Sequence, residues 1–161
     1  MWRVIFSDII VVMLKKRLLI ISLLLILFIA AFHFFALKYD WYWTYRWLDI
    51  PLHLIGGFWV SLTALWICLE IKHIDNIYEY KKKSLFIMLA SVLIIAFFWE
   101  IFELIFKVTS LHSVGYWQDS VGDIVNGFVG GVIAFLFFIR SRKATHHLIE
   151  KSVIKNFGVV L

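Results

Sequence analysis

Residues 85–106 read LFIMLASVLIIAFFWEIFELIF, an apolar run of membrane-spanning length that contains two glutamates, Glu100 and Glu103. A helix of about 20 apolar residues crosses the ~30 Å of hydrocarbon in a bilayer. A carboxylate held in that layer costs several kcal/mol unless it has a partner, a cavity or a task. The i, i+3 spacing puts both glutamates on one helix face, about 60° apart.

Three further apolar runs reach the same length: 18–37, 50–71 and 120–139. The chain is 63% hydrophobic, where soluble proteins are roughly half apolar. Lipid offers no partners for backbone polar groups, so spanning segments satisfy them internally, as helices do. The expected fold class is all-α: an integral membrane four-helix bundle with an interfacial N-terminal helix. The stretch 2–14 is too short to span and ends at Lys15-Lys16-Arg17. It reads as an interfacial amphipathic helix over 1–17 rather than a leader, because no A-x-A cleavage site follows. The four-span domain is then 18–140 and the basic cytoplasmic tail 141–161. The segment VGYWQDS at 114–120 reads as a turn before the fourth span. The single cysteine, Cys68, excludes an intrachain disulfide and a cysteine-rich zinc site.

Lysine and arginine set the orientation. Thirteen of the sixteen fall in the N-terminal stretch, the second loop and the tail; only Lys38, Arg46 and Lys107 fall on the other side. Both termini are therefore expected in the cytoplasm, in the inner membrane of a multi-pass protein. YDWYWTYRW (39–47) then lies at the outer interface, where amphipathic rings settle. The Lys81-Lys82-Lys83 run fits contact with anionic lipid. Membrane lipids are the expected partners, and nucleic acid is not.

That topology gathers titratable groups at one depth. Asp49 and His53 open the second span at its outer end. Glu100 and Glu103 close the third there, and Asp119 and Asp123 open the fourth. Asp49 and His53 are i, i+4; Asp119, Asp123 and Asn126 run i, i+4, i+7 along one stripe. Gly57 and Ser61 continue the first stripe and Gly130 the second. Gly127 and Gly131 form a G-x-x-x-G, a spacing that lets helix backbones approach closely in lipid. His33 stands near the same depth on a face the sequence leaves open.

Carboxylates with one imidazole suit a fairly hard divalent cation such as magnesium, manganese, calcium or zinc. Such an ion polarises a phosphoryl oxygen or activates a water. The expected ligands are Asp49, His53, Glu100, Glu103, Asp119 and Asp123, with Asn126 orienting one of them. Glu100, Glu103 and Asp123 are the candidate acid–base groups of a metal-dependent hydrolase acting on lipid or envelope substrates. Two other classes fit the same residues. One is a proton or cation carrier, which with four spans favours a homo-oligomer. The other is a structural or partner-binding membrane protein. Locally, Asp49 before Ile50-Pro51 also fits a helix N-cap, and Glu103 also fits an i, i+4 pair with Lys107.

The combination Asp49-x-x-x-His53-x-x-Gly56, Trp99-Glu100-x-x-Glu103 and Tyr116-x-x-Asp119-x-x-x-Asp123 resembles the YjdF-type inner-membrane protein family. More distantly it is similar to the VanZ-like small membrane proteins. The resemblance spans 49–131. It implies a small helical membrane protein and emphasises the motif positions, without implying a particular reaction.

Overall fold

The structure, a computed structural model, describes residues 2–71, 77–105 and 116–157. Its long helices are α1 (Trp2–Lys38), α3 (Asp49–Ile71), α4 (Ile77–Ile105) and α5 (Tyr116–Phe157). A single-turn α2 (Trp41–Thr44) and a 3-10 turn (Arg46–Leu48) join α1 to α3. Each long helix contains a stretch long and apolar enough to cross a membrane: Lys15–Lys38, Asp49–Cys68, Lys81–Ile105 and Tyr116–Ala144. Among the described residues there is no strand. The result is a helical membrane bundle, as the apolar runs require.

Two local readings change, at Tyr116–Ser120 and at Asp49. Helix α1 runs without a break from Trp2 to Lys38. Lysine and arginine are good helix formers, and no glycine or proline interrupts them at 15–17. Residues Tyr116–Ser120 are the first turns of α5 rather than a turn before it, with Asp119 favourably placed in the first turn of the helix. Asp49 has helical backbone angles, φ −65° and ψ −42°. It therefore lies inside α3, and its carboxylate is turned to a side chain instead of a cap. Lys107 and His112 lie outside the described residues.

Helices α3 and α5 form the central pair, and glycines set their distance. A Cβ on Gly57 would overlap the carbonyl oxygen of Gly127; one on Gly130 would overlap that of Leu54. A Cβ on Gly131 would come within 2.8 Å of Ser61 Oγ. The backbones are thus in direct contact along this seam, which only glycine permits. Below it, Leu18, Leu62, Leu65, Ala134 and Phe138 form the buried core. Helices α1 and α4 pack on this pair. Ser22 of α1 and Thr63 of α3 share a hydrogen bond of 2.5 Å between their hydroxyls. The outward faces of α1 and α4 are apolar, including Leu24, Leu27, Phe97 and Phe98, as lipid contact demands.

At the end of α1 the chain reverses through Asp40, which adopts a left-handed conformation, φ 53°. Aspartate is among the few non-glycine residues that tolerate this region. The reversal folds Trp41 back to within 5.8 Å of the Phe32 ring, centroid to centroid, and carries Tyr42 towards the bundle.

Candidate functional site

Above the glycine seam, α3 and α5 present the central cluster. Asp49 and His53 are one turn apart on α3, and Asp123 faces them from the second turn of α5. His53 Nε2 lies 3.3 Å from Asp49 Oδ1 and 3.5 Å from Asp123 Oδ1. The three side chains each offer one donor atom, all within 4.8 Å of one another. Asp123 is buried, with 8% of its surface exposed. The close approach of Gly57 to Gly127 lets side chains one turn further out meet at this distance.

A second layer comes from α1, α2 and α4, with Trp99 at its centre. The Trp99 ring meets His53 edge-on at 6.4 Å and His33 edge-on at 6.0 Å. Its indole N–H donates to Glu103 Oε1 at 2.8 Å. His33 Nδ1 in turn shares a hydrogen bond of 2.7 Å with the Tyr42 hydroxyl. Burial, reinforced by the nearby carboxylates of Asp49 and Glu103, pushes the Tyr42 phenol up to about 12. At neutral pH it therefore keeps its proton.

The remaining expected residues stand apart from the central cluster. Glu100 is committed to α5: its Oε2 accepts from Ser120 Oγ at 2.6 Å and from the Tyr116 hydroxyl at 3.3 Å. That pairing answers how a carboxylate is tolerated in an apolar helix, since charge-assisted hydrogen bonds offset its desolvation. Asp119 is exposed, and Asn126 is half-buried on the same stripe. Sequence reasoning reaches Trp99 and Tyr116 only through the resemblance motif. It misses Ser120 and Tyr42, whose partners lie on other helices.

Residues 3–144 match a family described as "Predicted membrane protein (DUF2238)". The chain belongs to that family. No curated protein and no solved structure matches it. The family match spans every residue of the two layers, and all four membrane-length helices of this DUF2238 protein contribute a side chain to them.

Proposed function

We propose that this DUF2238 protein binds a divalent cation through Asp49, His53 and Asp123 and uses it to hydrolyse a lipid or envelope substrate. The observation that carries the reading is one ring nitrogen facing two carboxylates from two helices. A nitrogen holds at most one proton, so it can satisfy only one of the two carboxylates at a time. A cation satisfies both. Ligands of a tetrahedral ion with bonds of ~2.0–2.1 Å stand about 3.4 Å apart, close to the separations of 3.3 and 3.5 Å here. Imidazole among the donors favours zinc over magnesium or calcium. Asp49, His53 and Asp123 would leave such an ion a position for water, and the ion would supply the charge that activates that water. Glu103, held by Trp99 beside His53, is the group to accept its proton.

A carrier needs a path past this level, and along the α3–α5 seam the backbones of Gly57 and Gly127 touch. The bias of thirteen basic residues against three supports cytoplasmic termini and a site on the outer side of the inner membrane. The motif that carries the likeness to YjdF-type proteins includes all three ligands. The deciding experiment is metal content after equilibration with zinc or manganese, for wild type, His53→Ala and Asp123→Asn. Wild type should hold one ion per chain, and both folded variants should lose at least about tenfold in affinity. Retention by Asp123→Asn, or no ion in wild type, refutes the reading.

A further inference from the structure

The face that α1 turns to α3 is covered unevenly. Leu18, Ser22 and Ala36 follow that face and are buried, whereas Ile29 and His33 between them are only half-buried. Opposite this gap is Gly56. Gly56 and Thr63 are i, i+7 and share a face, and Thr63 bonds Ser22 of α1. Gly56 therefore points towards α1, yet a Cβ on it would meet nothing within 4 Å. Its neighbour Gly57 is pressed against α5. On the other side, Trp99 of α4 closes the gap by its contacts with His33 and His53. Helices α1 and α4 each pack on α3 and make no extensive contact with one another. Space is thus left between α1 and α3 beside Gly56, within one turn of His53 on the same helix.

We propose that this cleft admits one acyl chain of an amine-bearing phospholipid whose headgroup reaches the Asp49–His53–Asp123 cluster. The inference rests on the cation-dependent reading above and names its substrate class. Lipid tails are as apolar as the cleft, so the chain gains no hydrophobic energy by entering. The cleft supplies shape, and the headgroup supplies selectivity. Among the described residues six acids, Asp40, Asp49, Glu100, Glu103, Asp119 and Asp123, lie at this end against Lys38 and Arg46. That balance complements an ammonium group and disfavours a purely anionic headgroup, while a cation held by Asp49, His53 and Asp123 would receive the phosphate.

Native mass spectrometry of the full chain in mild detergent, with added phosphatidylethanolamine or phosphatidylglycerol, tests this. Wild type should retain one phosphatidylethanolamine per chain in preference to phosphatidylglycerol. Gly56→Leu fills open space, so it should fold and bind zinc normally yet lose at least about tenfold in retention, the equivalent of about 1.4 kcal/mol. Gly122→Leu is the control: a Cβ there also meets nothing within 4 Å, but it lies on the α5 face of exposed Val125 and Val129. It should retain the lipid. Undiminished retention by Gly56→Leu, equal loss in Gly122→Leu, or no preference for phosphatidylethanolamine overturns the proposal. Zinc binding is read separately, so loss of the cation reading shows in the metal content and not in the Gly56→Leu comparison.

Discussion

Adjacent glycines on α3 should respond to the same substitution with opposite sign. Alanine in place of glycine inside a helix gains about 0.5–1 kcal/mol from backbone entropy. At Gly56 the new methyl meets nothing within 4 Å, so Gly56→Ala should stabilise by that amount. At Gly57 the methyl overlaps the Gly127 carbonyl, a backbone group that cannot swing aside. Overpacking costs about 1–3 kcal/mol, sometimes more, and relief requires α3 and α5 to part. A net loss of about 1–2 kcal/mol for Gly57→Ala leaves the two variants about 1.5–3 kcal/mol apart, or roughly 10- to 150-fold in the unfolding constant. Unfolding in mixed micelles, followed by circular dichroism against a denaturing detergent, reads this directly. Parting of the helices also separates Asp123 from His53, so Gly57→Ala should weaken zinc binding while Gly56→Ala does not. If Gly57→Ala is as stable as Gly56→Ala, the seam is not backbone-tight and the geometric account of the cluster fails.

Two further outcomes test the second layer. The Tyr42 phenol titrates at about 12 in the folded chain against 10.0 ordinarily. Between those values the unfolded chain gives up a proton that the folded chain keeps, so stability falls as pH rises through that window. Tyr42→Phe should remove this share of the slope in denaturation measured across it; an unchanged slope would show that the phenol is not held by the bundle. Trp99→Phe keeps a ring between the histidines but removes the N–H that holds Glu103, so it should leave the fold and zinc content intact while any hydrolysis falls. A drop in zinc content equal to that of Asp123→Asn would make Trp99 a support of the ligands instead.

The four spans are legible because each is a long apolar run between charged or turn-forming residues, and hydrocarbon admits few alternatives. Glu100 and Glu103 are also legible as paired groups on one face. Which partner each takes is not, since a helix can rotate by a fraction of a turn without altering its periodicity. Glu100 turns to Ser120 and Tyr116, whereas Glu103, one turn further out, is taken by Trp99. Hydropathy cannot separate these outcomes. Asp49 misleads for a different reason: Asp-Ile-Pro fits a capped helix start, but the preceding 3-10 turn runs directly into α3, and the carboxylate is released to His53. Tyr42 enters through the left-handed turn at Asp40, which a single aspartate in an aromatic stretch does not advertise.

The glycine seam also explains why a site should sit at this level. Donor atoms on two helices hold a fixed separation only if the helices cannot slide or part, and side-chain packing in lipid gives little resistance without a hydrophobic driving force. Backbone contact does, because neither Gly57 nor the Gly127 carbonyl has a rotamer to yield. His53 is one turn outward from Gly57, and Asp123 is one turn outward from Gly127. The cluster is therefore placed as close to the rigid contact as a side chain can be while still opening outward. About 100° around α3, one residue away, Gly56 does the reverse and leaves space. A close backbone contact at Gly57 and open space at Gly56 thus come from consecutive glycines pointing to different neighbours, which on the proposed reading supply rigidity for the donors and room for a chain. Exchanging their roles, with alanine at Gly57 or leucine at Gly56, should damage one property and spare the other.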